Sequence, residues 1–245
     1  MTVPWNLAAG VGLLLVLAIA ALTIAGVRQR RAIATASLRA AAQLAVVALA
    51  LRGVFSTPPT AIVVLAVMFG VATWTAARRV REHAGALASV AIAILAGASI
   101  TITIVVGLPT LTRDLRTLIA VSGIVLGGAM TAATLTGRRL TAALRDHRDE
   151  VEAWLALGAT PREAVRPLTR LAIHEALVPA LDQTRTVGLV TLPGAFAGAL
   201  IGGAAVAEAA RFQVVVLIGL LCTEAITAVV LAHRLGAPER LPTSL

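Results

Sequence analysis

Few residues in this chain could do chemistry, and their spacing excludes most of it. His174-Glu175 opens like the H-E-x-x-H of zinc peptidases, but the fifth position is Val178, so the second imidazole ligand is missing. The run from Asp146 to Glu150 sets acids and bases at helical spacing, the pattern of a solvated, ion-paired face rather than a metal cage. Ser99 and Ser122 lie in apolar stretches with no histidine close in sequence and no G-x-S-x-G elbow, so no acyl-transfer nucleophile is present. The single cysteine, Cys222, has no partner for a disulfide or a metal. No G-x-x-x-x-G-K-[ST] occurs, so this chain is expected neither to cradle a nucleoside triphosphate nor to be an ATPase or another enzyme, and it is expected to bind no cofactor of its own. What remains are acids in or beside apolar runs: Asp182, Glu208 and Glu224. A charge at membrane depth is costly and is kept for a polar pathway or a buried pair, and Glu224, near the middle of the last run, is the costliest.

Those acids are positioned by elements that read as lipid-spanning. Of 245 residues, 58% are hydrophobic and 13% charged, and the apolar residues come in runs of about 20, the length of a helix across a bilayer. The expected fold is an all-α polytopic membrane protein, one transmembrane domain over 1–245. About seven spans are expected, at 5–27, 38–55, 59–77, 86–108, 117–136, 186–207 and 213–233. Residues 1–27 lack a basic n-region and a small-residue cleavage site, so they read as a retained first span. The net charge of +9 comes from 21 arginines and no lysine. They cluster at the ends of apolar runs, which favours an N-out, C-in topology over nucleic-acid binding. Residues 137–185 then form a cytoplasmic segment, in which 168–185 is expected to be an amphipathic helix broken near Pro179, or else a partial re-entrant segment. Leu192-Pro193-Gly194 is expected to break the sixth span, either freeing carbonyls to line a pathway or making a packing kink. Gly198, Gly202 and Gly203, with Gly127 elsewhere, offer small faces for close helix packing.

One polar stretch stands apart, VEAWLALGATPREAVRP at 151–167. Good helix formers run to Gly158, and Thr160-Pro161 restarts a helix because Thr can cap an N-terminus and Pro suits the first turn. A helix, a glycine break and a capped helix make an elbow, which either binds a partner or merely joins two spans.

Here the sequence resembles known proteins. Glu152-Ala153, with Gly158 six residues after the acid, is similar to the first half of the E-A-A-x-x-x-G coupling loop of ABC-transporter permeases; the second half is not at its usual spacing. Arg39 with Gln43-Leu44 and Phe55, SGIVLGGAM at 122–130, and GLVTLPGAFAGALIGG at 188–203 followed by Glu208-Ala-Ala-Arg-Phe-Gln213 resemble signatures of the iron-export permease (FetB) family, whose relatives include plant aluminium-tolerance permeases. The resemblance runs in order over most of the chain. It implies a permease subunit in the bacterial inner membrane, forming a homodimer that works with a cytoplasmic ABC ATP-binding subunit, which would carry the ATP and magnesium. It implies an ATPase-coupling site at Glu152, Ala153, Gly158, Ala159 and Thr160. It also implies a pathway drawing on Arg39, Gln43, Asp182, Leu192, Pro193, Gly194 and Glu224. Metal export is the implied activity. Two departures bear on the cargo: Gly128 replaces the Asn of the family's G-N-x-M, and Thr184, Arg185, Ala195, Phe196 and Ala199 stand where better-known members carry methionines and a Gln. Thioethers and amides are plausible metal contacts, so any metal ligands in this chain are unknown. A stand-alone secondary transporter and a non-transporting assembly protein are the alternatives.

Overall fold

A computed structural model describes residues 5–54, 59–83, 85–108, 111 and 114–237. The described residues hold nine helices and no strand. The chain divides into two compact units, residues 1–58 and 59–245. The first contains α1 (Trp5–Ile24) and α2 (Arg30–Val54), which pack on each other. Expected spans 5–27 and 38–55 correspond to these helices, except that α2 begins eight residues early and residue 55 lies outside the described residues.

The second unit contains α3 (Pro59–Arg79), α4 (Ala86–Gly107), α5 (Leu115–Asp146), α6 (Arg148–Ala156), α7 (Pro161–Thr186), α8 (Gly194–Ile201) and α9 (Val206–Leu235). Its core is the packing of α9 against α4, α5 and α7, and of α5 against α3, α4 and α7. Valine, leucine, isoleucine and alanine fill it, with Ile94, Leu140, Leu144 and Leu231 fully enclosed. Alanine dominates because helices in lipid gain little from burying one apolar surface against another and depend instead on close backbone approach.

Among the described residues six helices are long and apolar enough to cross a membrane: α1, α2, α3, α4, α5 and α9. The chain is an all-α polytopic membrane protein. The sixth expected span, 186–207, is not a helix across a bilayer. Val187 and Thr191 form an isolated bridge, Pro193 caps the eight-residue α8, and Gly188 and Gly203 take left-handed conformations that a continuous helix excludes. The segment expected to be broken near Pro179 is instead one 26-residue helix, α7, continuous through Pro167 and Pro179. At 1.5 Å per residue it is about 39 Å long, more than the thickness of a hydrocarbon core. Ala164, Val165, Leu168, Ala172, Ala176 and Ala180 form its buried stripe, and α7 packs against both α5 and α9. That packing holds a helix whose two internal prolines each remove a backbone hydrogen bond.

Candidate functional site

The elbow forms as its residues dictate. Helix α6 ends at Ala156, Gly158 takes a φ of 89°, and Thr160 caps α7. The cap is a reciprocal box: the Glu163 amide donates to the Thr160 hydroxyl at 3.4 Å, and the Thr160 amide donates to the Glu163 carboxylate at 2.8 Å. The Thr160 hydroxyl also donates to the Glu163 carboxylate at 2.6 Å, and this bond, followed by that from the Thr160 amide, holds the carboxyl below its usual range, a shift helped by Arg166. Glu152 is exposed and pairs with Arg148 at 2.7 Å, one turn back on α6. Ala153 is exposed on α6, and half-buried Ala159 lies between the break and the cap. Trp154, Leu155 and Leu157 are all exposed, Leu157 at 81%. Between α6 and α7 lies a cleft of about 740 Å³, lined by Trp154, Leu157, Glu163, Arg166 and Arg170. Three large apolar side chains within four residues are thus exposed at the elbow, a feature common to interaction and membrane-contact surfaces.

Beyond the elbow α7 is two-faced. Opposite its buried stripe, Arg162, Arg166, Arg170, His174 and Asp182 are exposed at multiples of four residues. Asp182 pairs with Arg185 at 3.5 Å, and Glu175 with Arg139 of α5 at 3.2 Å. This polar strip can line water or meet a polar partner, and at membrane depth it would be expensive against acyl chains. The amphipathic character expected of 168–185 is present, and it extends back along α7 to Arg162.

The other expected pathway residues do not gather in one place. Arg39 and Gln43 are exposed one turn apart on α2, in the first unit. Leu192 is exposed in the loop, Pro193 is the N-cap of α8 and Gly194 its first residue. Glu224 is buried in α9, where its Oε1 lies 2.9 Å from the point a Cβ on Gly128 of α5 would occupy.

Within this unit the glycines expected to form small packing faces differ from those at which helices approach closely. A Cβ on Gly127 or Gly198 would meet open space, one on Gly202 only carbonyls of its own helix, and one on Gly203 nothing within 4 Å. By contrast, Gly97 presses on Thr223 and Thr227, Gly128 on Leu220, Gly137 on Val80 and Gly219 on Thr101. The buried Thr223 hydroxyl donates to that of Thr101 at 2.7 Å across the same α4–α9 seam. The signal was present in the sequence as small residues at four-residue steps, Gly97 and Thr101 facing Gly219, Thr223 and Thr227.

At the elbow end, the turn between α3 and α4 is fastened to α5. Arg145 pairs with Glu82 at 2.7 Å, and buried His83 shares a 2.9 Å hydrogen bond between its Nε2 and the Thr141 hydroxyl. Thr141 gives its own hydrogen to the Gly137 carbonyl at 2.8 Å, so His83 Nε2–H must be the donor. Burial holds the imidazole below its usual 6.5, partly opposed by Glu82. The unfolded chain therefore takes up this proton first, and the turn's contribution to stability, complete above pH 6.5, is lost as pH falls through the folded value. We expect the thermal stability of the purified protein to fall between pH 7.5 and 5.5, and His83→Gln to flatten that dependence; equal slopes in both would remove His83 from it.

Among the described residues no group of three or more His, Cys, Asp or Glu could hold a metal ion. The profile of UPF0014, described as an uncharacterised protein family, matches residues 4–237. The chain is similar to "UPF0014 membrane protein STAR2" of Oryza sativa subsp. japonica, 37% identical over 196 residues that cover 79% of this chain and 69% of that one. It is also similar to "Protein ALUMINUM SENSITIVE 3" of Arabidopsis thaliana, 37% identical over 177 residues, 71% of this chain and 65% of that one. A third relative is "Probable iron export permease protein FetB" of Escherichia coli (strain K12), 32% identical over 197 residues, 80% of this chain and 76% of that one. No solved structure matches this chain.

Proposed function

Because this chain belongs to the UPF0014 family of membrane proteins, we propose that it is the permease subunit of an ABC transporter, moving a small solute or metal ion across the bacterial inner membrane. The observation that carries this reading is the elbow, with Glu152 outward on α6, Leu157 at its tip and a capped helix restarting at Pro161. In this reading the tip of α6 sits in a groove on a cytoplasmic ATP-binding subunit, which binds the ATP and magnesium. Hydrolysis there moves the elbow and the two long helices joined to it, α5 and α7. Two permease copies pair, and the polar strip of α7 faces the water-filled route between them, where Asp182 and His174 are hydrated rather than set against lipid. Metal export is the activity suggested by the name of the E. coli relative.

The test is purification of the tagged chain from its own membranes in mild detergent, with mass spectrometry of what accompanies it. Co-purification of a protein bearing G-x-x-x-x-G-K-[ST] in about equal amount is the expected result. Its absence, even after cross-linking, would favour a stand-alone secondary transporter.

A further inference from the structure

Glu224 is only 7% exposed, and among the described residues no hydrogen bond or ion pair holds it. By helix rise it lies about 27 Å from the start of α9 and 16 Å from its end, so neither terminus supplies compensation. Its carboxylate faces the backbone of α5 at Gly128, where a missing side chain gives it room.

The ionisable groups on every packed element are too distant or turned away. Helices α4 and α8 carry none. On α5 the nearest along the helix from Gly128 are Arg116 and Arg138, about 18 and 15 Å away. On α7, Glu175 is taken by Arg139, while Arg170, His174 and Asp182 lie on the exposed face. On α9 itself, Arg211 and His233 are about 20 and 13 Å along the helix, and Cys222 lines a crevice shared with Thr101 and Ile104 of α4.

An ionised carboxyl enclosed among helices without a counter-charge costs far more than the neutral acid in the same place. We propose that Glu224 is a proton-binding site within the membrane, a carboxyl that carries its proton while the α5–α9 seam is closed and releases it when that seam parts. The step is the addition of one proton to one carboxylate oxygen and its reversal; nothing else is consumed. Gly128 is the gate residue, because its bare backbone covers the acid.

Infrared spectroscopy of the full-length protein in lipid vesicles at pH 7 tests this, with the spectrum of Glu224→Gln subtracted. The expected result is a protonated-carboxyl C=O band that shifts in D2O and is missing from the variant, while the variant accumulates and melts like the parent. Loss of a carboxylate band instead would overturn the proposal. Should E224Q fail to accumulate, Glu224→Asp in protein carrying carboxyl-13C glutamate removes the same labelled band while keeping an acid. A labelled band of the carboxylate type would then overturn it equally. The measurement needs no partner subunit, so its failure is distinct from failure of the transporter assignment.

Discussion

Replacing Leu157 with aspartate is expected to abolish capture of an ATP-binding partner while the chain still reaches the membrane at its normal level. Leu157 is 81% exposed, so its side chain contributes little to folding, and a charge there leaves the bundle intact. At an interface the same side chain is the apolar anchor nearest the tip, and truncating such an anchor costs about 2 to 4 kcal/mol, roughly 30-fold to 1000-fold in affinity. Aspartate adds the desolvation of a carboxylate to that loss. Glu152→Lys is the companion variant. It breaks the pair with Arg148, worth only about 0.5 kcal/mol on an exposed helix, but reverses the charge offered to a basic groove. Quantitative mass spectrometry of the two purified variants measures both effects. Capture at wild-type level in both would remove the elbow from the mechanism.

The second large effect belongs to Gly97. A methyl group there would sit 2.6 Å from the Thr223 backbone carbonyl and against the Thr227 hydroxyl. Backbone in mid-helix cannot step aside as a side-chain end can, so α4 and α9 must separate along their seam, which also breaks the Thr101–Thr223 hydrogen bond. Gly97→Ala is therefore expected to destabilise the bundle by about 1 to 3 kcal/mol, the usual cost of overpacking. Gly127→Ala, which meets open space within the unit, should change stability by less than about 0.5 kcal/mol. Thermal unfolding of the two variants in one detergent is the measurement. Similar melting for both would mean that the α4–α9 seam is not closely packed.

The elbow was legible in the sequence because each of its parts is local: a glycine at a positive φ, a threonine cap, a proline in the first turn. The same holds for α3, α4, α5 and α9, whose apolar runs are unbroken. What sequence reasoning misassigned was the break expected in 168–185 near Pro179 and the span expected at 186–207. In the first, packing of the buried stripe against α5 and α9 carries the helix through Pro179, which the local rule for proline does not foresee. The second is apolar in composition, yet Gly188, Pro193, Gly194 and Gly203 keep it from forming one long helix. Glu224 stood out as an acid in an apolar run, but that it faces Gly128 depends on the register of α5 against α9, which neither helix specifies alone.

The unbroken α5 also has a mechanical consequence. It is a rod about 48 Å long by helix rise, attached near one end to the elbow and closely packed where Gly137 meets Val80, just past the end of α3. With that contact as fulcrum, the arm toward Asp146 is about 14 Å and the arm toward Leu115 about 33 Å. Under the proposed coupling, a push on the short arm would reappear at the far end more than doubled, and reversed in direction.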